Sequence, residues 1–288
     1  MLDLLIFGLI NCASLAVLAI GFSLTFGISG IPNFAYGGLY ILSAYLCWYL
    51  INIGIPHLLA IAFTLLIIGA LGYLIYWLIL FRVRGNMLSE AIVTFGTGLF
   101  ILEFLRWLGF VGFHYNLPVF LEGSIQIFGI YMATHNLIII CVGILMGLFL
   151  WFFTHYTKTG RACRGIAQEE YTALSLGIGS DFTAAISLAI GSAFAALAAI
   201  TILPMQTLTI DKGYDALIFA LAVGIVGGLE SIVGVLLASL LLGYAQTVIG
   251  FYIGSQWTGV IFMGSILLVL AIKPSGLLGK FKELEERV

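Results

Sequence analysis

The stretch GRACRGIAQEEYTALSLG at residues 160–177 is the longest polar interruption in an otherwise apolar sequence. It carries two arginines, a glutamine and two glutamates, and then returns to small and apolar residues. Basic residues alone would suffice to anchor a loop at the cytoplasmic membrane surface. They do not account for the acidic pair or for the small residues that follow. We therefore interpret this stretch as a surface loop on which a partner protein docks.

The composition around this loop is that of a membrane protein. The chain has 288 residues, of which 62% are hydrophobic and 8% are charged. Soluble domains carry about 25% charged residues, so this composition excludes a soluble fold. Long apolar runs without alternation favour helices over a membrane barrel. The sequence predicts an all-α polytopic membrane protein of eight or nine transmembrane helices, since each helix needs about 20 residues.

The order of apolar and polar segments predicts where these helices lie. We expect spans at residues 4–26, 34–51, 57–81, 88–109, 135–153, 182–203, 232–250 and 257–272. A further apolar segment at residues 216–226 would be about 17 Å long, too short for a hydrocarbon core of about 30 Å. The number of spans, eight or nine, depends on this segment. We expect residues 1–288 to form one transmembrane domain, with a polar loop at 156–180 and a charged tail in water at 273–288.

Glycine-rich breaks interrupt the apolar runs twice, at residues 27–33 and 224–231. Pro32 disfavours helix at the residue before it, and glycine permits backbone conformations that other residues avoid. Paired broken helices in the two halves of a transporter often mark a substrate site near the membrane midplane. The alternative is chance, because the chain contains 35 glycines.

Basic residues predict the orientation of the chain. Nine of the 11 Lys and Arg lie in three groups, at residues 82–84, 158–164 and 273–287. The positive-inside rule places such groups in the cytoplasm. All three groups fall on one side only if the short segment at 216–226 counts as a crossing, and the N-terminus then lies outside.

Charges within the predicted spans are few. Glu103 and Arg106 are spaced to pair on one helix face. Glu90 falls at the start of a predicted helix, where a carboxylate is favoured by the helix dipole. Glu230 follows two glycines, and a helix-capping role and a role on a transport pathway both remain open for it. Residues 167–176 predict a short amphipathic helix on the membrane surface, which could enter a partner's groove.

Motifs of catalysis and metal binding are absent from the sequence. There is no nucleotide-binding loop, no nucleophile motif and no metal-binding pair of cysteines. We therefore expect a protein without cofactor or metal that does not itself hydrolyse ATP.

Four motifs together resemble the branched-chain amino acid permeases of ABC importers, most closely their shorter, H-type subunit. The loop GRACRG with its acidic pair resembles the coupling loop of that family. The other three are IPNFAYG at 31–37, GGLESIVG at 227–234 and PSGLLG at 274–279. They occur in the family's order and span nearly the whole chain. Gly165, Glu230 and Val233 depart from the family pattern, which leaves substrate identity open, and related permeases handle urea and short amides.

The resemblance implies an importer in a prokaryotic cytoplasmic membrane that moves branched-chain amino acids by alternating access. It implies a second permease subunit, two cytosolic ATPases, an extracytoplasmic binding protein and the surrounding lipid as partners. The residues expected to couple to the ATPases are Gly160, Arg161, Ala162, Arg164, Glu169, Ala173 and Gly177. Those expected on the translocation pathway are Asn33, Phe34, Glu230 and Ser231. Two alternatives stay open: an ion-coupled secondary transporter or channel, which would use Glu103 or Glu230, and a membrane scaffold without transport.

Overall fold

The computed structural model describes residues 2–30, 32–110, 115–121, 123–127, 129–229 and 231–279. Most of this part of the chain is helical. The helices are α1 Leu2–Ser29, α2 Tyr36–Asn52, α3 His57–Leu78, α4 Met87–Trp107, α5 His135–Tyr156, α6 Lys158–Gln168, α7 Glu170–Ser175, α8 Ser180–Ile202, α9 Lys212–Gly227, α10 Ile232–Tyr252 and α11 Thr258–Ile272. Single turns of 3-10 helix occupy Leu80–Arg82, Leu203–Met205 and Ser255–Trp257.

Seven of the helices in the described residues are long and apolar enough to cross a membrane, namely α1, α3, α4, α5, α8, α10 and α11. The protein is therefore an integral membrane protein. Helices α2 and α9 have 17 and 16 residues, or about 25 and 24 Å at 1.5 Å per residue. The expected eight or nine spans are reached only if these two shorter helices are counted.

A short β-hairpin corrects the all-α prediction. Strands β1 Ser124–Ile127 and β2 Ile130–Ala133 pair antiparallel, with Ser124 opposite Ala133. They lie in the connection between α4 and α5, which the sequence presents only as a weakly polar stretch. Two strands of four residues are too short for hydrophobic alternation to identify them.

Helices α1 and α8 form the centre of the bundle, and small residues allow them to approach closely. In the most apolar 18-residue stretches of α1 and α8, 56% and 72% of the stretch is buried, compared with 6% for the corresponding stretch of α11. A Cβ built at Gly191 of α8 would lie 3.0 Å from the Gly21 carbonyl of α1. Helix α3 packs on another face of α8, where a Cβ at Gly69 would lie 3.6 Å from that of Ala193. Such small-residue faces are typical of helix packing in membranes.

The bundle has two distinguishable ends. We call one the basic end, because it holds Arg84, the α6–α7 segment (residues 158–177) and Lys273. The other, the hairpin end, holds β1–β2, and there Arg106 Nη1 contacts the Glu103 carboxylate at 2.5 Å. This confirms the predicted pair, and Arg106 also reaches Asp211 at 3.6 Å.

Helix α9 runs between these two ends and is longer than predicted. It begins beside Arg106, through Asp211. At its other end, the Val226 carbonyl accepts a hydrogen bond from the Leu277 amide at 2.8 Å. Lys212 and Asp215, which made its first turn look like a loop, pair with each other at 3.5 Å. With α9 traversing the bundle, all three basic groups begin at one end, as the orientation argument requires.

Candidate functional site

The α6–α7 segment leaves the bundle at a sharp turn after α5. Thr157 has an extended backbone, and its hydroxyl accepts a hydrogen bond from the Gly160 amide at 2.9 Å. The same hydroxyl donates to the Phe153 carbonyl at 2.7 Å. A threonine that caps a helix start satisfies one of its free amides. Thr157 therefore ends α5 and starts α6, with a single non-helical residue between the two helices.

One face of α6 is buried against the bundle. Gly160, Cys163 and Ile166 are buried, and their spacing of three residues places them along one side of the helix. The Cys163 sulfur lies 3.8 Å from the Ser187 hydroxyl of α8. Burial raises the pKa of this thiol, while hydrogen bonding opposes that shift. Cys163 is thus a packing residue that fixes α6 to α8.

The opposite face of α6 is basic and exposed. Lys158, Arg161 and Arg164 all face solvent, as does Gln168 near the end of the helix. At Glu169 the backbone becomes extended, which ends α6, and α7 begins at the next residue. The predicted helix at residues 167–176 is therefore wrong in its bounds: Glu169 divides the segment into α6 and α7, and most of the helical length precedes it.

A glycine cap closes α7. The Ile178 amide donates to the Ala173 carbonyl at 3.1 Å, and the Gly177 amide donates to the Leu174 carbonyl at 2.9 Å. Gly177 has a φ of 80°. This pair of bonds and this φ define a Schellman motif, in which glycine is strongly favoured. No described atom lies within 4 Å of a Cβ built at Gly177, so its backbone conformation, not its packing, requires glycine.

The seven residues predicted to couple to a partner do not share one surface. Arg161, Arg164, Glu169 and Gly177 are exposed, and Ala162 is half-buried. Gly160 and Ala173 are buried within the protein. The last two expose almost no surface to a partner, and the coupling roles of all seven residues stay predictions.

An ion pair that the sequence analysis missed fixes the start of α8 to the α3–α4 connection. The Arg84 guanidinium forms a close ion pair with the Asp181 carboxylate. The Tyr76 hydroxyl donates to the same carboxylate at 2.7 Å. Asp181 lies just after the α6–α7 segment, in the first turn of α8. The two charges are distant in the sequence, so no local pattern identifies the pair.

Removing either charge of this pair is expected to destabilise the folded protein. Arg84 and Asp181 side chains are 21% and 43% exposed, so we expect about 1 kcal/mol or less from the pair itself. Arg84→Gln and Asp181→Asn should each lower the melting temperature in detergent by about 2–4 °C, and the double variant should lose less than their sum. The matched pair Glu103→Gln and Arg106→Gln, which is more exposed, should show smaller effects. Strict additivity at Arg84 and Asp181 would contradict the coupling.

Residues 32–35 form a non-helical segment that packs within the bundle. Gly30, after the end of α1, has a φ of 62°. Farther along this segment, the Phe34 ring stacks on the Phe22 ring in the last third of α1, with centroids 6.4 Å apart. The Thr94 hydroxyl of α4 donates to the Pro32 carbonyl at 2.8 Å. Irregular backbone at this depth is tolerated only where it is buried in protein or lines a cavity.

The start of α2 lies between two other helices with no room for side chains. A Cβ at Gly38 would lie 2.7 Å from the Gly98 carbonyl of α4. A Cβ at Gly37 would overlap the Gly213 carbonyl of α9. Gly98 is about 16 Å from the start of α4 and about 14 Å from its end. Helix α2 therefore begins against the middle of α4 and the first turn of α9.

Asn33 lies in the turn just before this helix start. Its carbonyl accepts a hydrogen bond from the Tyr36 amide at 3.2 Å. The residue is 1% exposed, and its side-chain Nδ2 has no hydrogen-bond partner among the described residues. An unsatisfied buried donor costs about 1–3 kcal/mol.

Phe34 borders an apolar cavity of about 460 Å³, which is open on one side. The lining comes from Phe34 and from three helices: Leu88, Ala91, Ile92 and Phe95 of α4, Leu217, Ile218 and Leu221 of α9, and Met263 and Ile266 of α11. A narrower extension continues to the start of α2, where it is bordered by Gly37 and Gly38. Of the predicted pathway residues, Phe34 borders this cavity, and Asn33 is not among its lining residues.

The second glycine-rich break lies between α9 and α10. Gly228 has a φ of 96°, and the Ser231 hydroxyl caps α10 by accepting from the Gly234 amide at 3.1 Å. Ser231 is therefore committed to a helix cap. Glu230, predicted as either a cap or a pathway residue, lies outside the described residues. Ser23 of α1 donates to the Leu229 carbonyl at 3.0 Å, so both breaks contact neighbouring residues of α1.

Part of the charged tail packs under this second break. The Leu278 amide donates to the Gly227 carbonyl at 3.2 Å. A Cβ at Gly276 would lie 2.6 Å from the Gly228 nitrogen. Residues 276–279 therefore cover the end of α9, whereas the sequence places the whole tail in water.

Metal ligands do not assemble in the described part of the chain, where no three His, Cys, Asp or Glu side chains come together. Cys12, Cys47, Cys141 and Cys163 are all free thiols.

Comparisons with known proteins relate the whole chain to one family. The model of the family described as "Branched-chain amino acid transport system / permease component" matches residues 4–271. The high-affinity branched-chain amino acid transport system permease protein BraD of Pseudomonas aeruginosa is 30% identical, over 97% of this chain and 96% of that protein. The corresponding permease protein LivH of Salmonella typhimurium is 28% identical, over 92% and 91% of the two chains.

A solved structure is similar in fold. A chain of PsaBC from Streptococcus pneumoniae in complex with Fab aligns with a TM-score of 0.53, at 14% identity. The alignment covers 94% of this chain and 92% of that one. At this identity, the similarity supports the fold alone.

Proposed function

Because this chain belongs to the branched-chain amino acid transport permease family, we propose that it is one permease subunit of an ATP-driven importer for branched-chain amino acids. The chain is a membrane transport permease of the ABC type and not an enzyme. Importers of this kind work with ATPase and binding-protein components in general. The specific assembly we propose pairs this chain with a second permease subunit, two cytosolic ATPases and an extracytoplasmic binding protein, within a prokaryotic cytoplasmic membrane.

The basic end of the bundle faces the cytoplasm in this proposal. Arg84, the arginines of α6 and Lys273 all lie there, in agreement with the positive-inside rule. The seven long helices together with α2 and α9 then give nine membrane-embedded helices. Helix α9 counts as a crossing because it extends from the neighbourhood of Arg106 to that of Leu277.

The observation that carries the proposal is the exposed basic face of α6 on a helix tightly joined to the bundle. Arg161 and Arg164 project from a helix whose other face is buried through Cys163 and Ile166. A partner that docks on this face and moves would displace α5 through Thr157. It would displace α3 and α8 through the ion pair at Asp181. When the ATPases bind ATP and close, their motion would in this way be transmitted to the helices around the cavity and drive alternating access.

Uptake into proteoliposomes tests this function. The four components would be reconstituted with ATP inside, and labelled leucine would be supplied with the binding protein outside. We expect leucine to accumulate only with internal ATP, and not when the ATPase is a variant unable to hydrolyse ATP. Excess urea and acetamide should not compete. Accumulation that is independent of ATP but depends on an ion gradient would contradict the proposal and support an ion-coupled transporter. Competition by urea would contradict the proposed substrate class and indicate urea or short amides.

A further inference from the structure

Helix α11 is joined to the rest of the bundle by a narrow contact. Of its 15 residues, all of which are described, only Phe262 is buried. The Phe262 ring packs on the Phe219 ring of α9, with centroids 4.3 Å apart, and partly buried Ile266 and Val269 add to this contact. In a membrane, close packing is the main force that holds one helix against another, because lipid is as apolar as the helix surface. Packing along its length therefore holds α11 only weakly.

The segment that follows α11, which we call the strap (residues 273–279), makes a second attachment. The Leu277 amide donates to the Val226 carbonyl at 2.8 Å, and the Leu278 amide donates to the Gly227 carbonyl at 3.2 Å. These two carbonyls belong to the last turn of α9, where helix carbonyls have no partner within the helix. The strap thus fixes the basic end of α11 to the end of α9.

The strap is a preformed turn that fits closely on α9 without burying much apolar surface. The Gly276 amide donates to the Lys273 carbonyl, and the Lys273 ammonium donates to the Leu277 carbonyl, both at 2.9 Å. A Cβ built at Gly276 would lie 2.6 Å from the Gly228 nitrogen. The Leu277 side chain nevertheless remains 39% exposed. Backbone hydrogen bonds with little apolar burial form an attachment that can open and reform.

Gly254 provides a hinge at the hairpin end of α11. It lies between α10 and the 3-10 turn that precedes α11, and its φ is 126°. Ile253 and Trp257 on either side are 60% and 48% exposed. Hinges are commonly residues at the ends of helices, and they are often small. Helix α11 is therefore joined to α10 through a connection that packing does not fix.

Helix α11 also forms one wall of the apolar cavity. Met263 and Ile266 line the cavity together with residues of α4 and α9. The first turn of α9 is held firmly, because a Cβ at Gly213 would lie 2.9 Å from the Gly37 carbonyl of α2. A displacement of α11 relative to α9 would therefore change the width of the cavity.

We propose that α11 is a movable wall of this cavity, hinged at Gly254 and latched by the strap, and that the latch opens during the transport cycle. With the strap bound to Val226 and Gly227, Met263 and Ile266 stay beside the cavity. With the strap released, α11 turns about its hinge and the cavity widens at the basic end. The role in the cycle rests on the proposed import function, whereas the mechanical role of the strap does not.

The distance between two spin labels tests this movement. One label would be placed at Leu268 of α11 and the other at Leu148 of α5, which are 59% and 58% exposed. The exposed native thiol of Cys141 would be replaced by serine. In the reconstituted complex, with an ATPase variant that binds ATP without hydrolysing it, we expect ATP to shift the distance distribution. An unchanged distribution, in a complex that transports leucine with the unmodified ATPase, would overturn the proposal.

The variant Gly276→Ala should open the latch without ATP. Its methyl group would lie 2.6 Å from the Gly228 nitrogen, so the strap cannot dock closely. We expect the ratio of displaced to latched α11 to rise about tenfold, as for the loss of one or two backbone hydrogen bonds. The matched control is Gly109→Ala, because Gly109 has a φ of 87° and a Cβ there meets no described atom within 4 Å. Equal distance distributions in the two variants would rule out the latch.

A loosened latch should also weaken the coupling of uptake to ATP. We expect Gly276→Ala to transport severalfold less leucine per ATP hydrolysed than Gly109→Ala, at an equal melting temperature. A parallel loss of melting temperature and uptake, with an unshifted distance, would assign the strap a structural role and overturn the proposal. Wild-type complex that does not accumulate leucine with ATP would contradict the proposed function instead. The comparison of the two glycine variants without ATP would still decide whether the strap is a latch.

Discussion

Arginine in place of Gly177 is expected to lower ATP-driven uptake by about tenfold or more, which corresponds to about 1.4 kcal/mol of docking free energy. Gly177 is exposed, and a Cβ there meets no described atom within 4 Å. The long side chain therefore has room within this chain and would be placed at the surface proposed for the ATPase. The amount of folded protein in the membrane should stay within about twofold of wild type, because the cost to folding is limited to backbone strain of about 1–2 kcal/mol.

A second substitution at the same position separates bulk from backbone strain. Asparagine adopts positive φ more readily than other side chains, so Gly177→Asn keeps the helix cap with a small side chain. We expect Gly177→Asn to retain most of the uptake. Wild-type uptake in Gly177→Arg would contradict docking at this surface. Equal losses in both variants would assign the effect to the cap of α7.

Replacing Gly160 by valine is expected to lower the amount of folded protein, whereas Gly177→Arg lowers uptake and leaves the amount of folded protein nearly unchanged. A Cβ at Gly160 would overlap the Phe153 carbonyl and lie 2.8 Å from the Thr157 hydroxyl oxygen. The clash involves the backbone of the turn between α5 and α6, which cannot move without moving either helix. Overpacking of this kind costs about 1–3 kcal/mol or more. Quantitative membrane blots and size-exclusion chromatography should show a severalfold lower yield, with uptake reduced in proportion.

The matched control for Gly160 is Gly147→Val on α5. No described atom lies within 4 Å of a Cβ at Gly147, so its yield should stay near that of wild type. Wild-type yield and uptake in Gly160→Val would show that the α5–α6 turn is looser than the contacts indicate. It would also remove the direct mechanical link between α6 and α5.

The sequence predicts the long helices well because each is a continuous apolar run. The expected spans at 57–81, 135–153 and 232–250 overlap α3, α5 and α10 nearly throughout. Helix α9 was predicted too short because Lys212 and Asp215 look like loop residues, although they pair within its first turn. The β-hairpin was missed because its strands have only four residues each.

The candidate sites depend more on contacts between distant segments. The basic residues of α6 identify an exposed face, yet only the structure separates it from buried Gly160 and Ala173. Nothing local in the sequence pairs Arg84 with Asp181. Asn33 was selected from the glycine-rich break, but its burial beside the start of α2 follows from the packing of Gly98 and other residues around it. The role predicted for Glu230 stays a prediction.

Site-specific photo-crosslinking from α6 tests the central claim, that the α6–α7 segment is the ATPase contact. A photoreactive residue would replace exposed Arg164, and in a control it would replace Tyr131, which is exposed on β2 at the hairpin end. After irradiation of the reconstituted complex, we expect a covalent product with the ATPase from position 164 and none from position 131. An ATPase product from position 131, or its absence at 164 in a complex that transports leucine, would contradict the account.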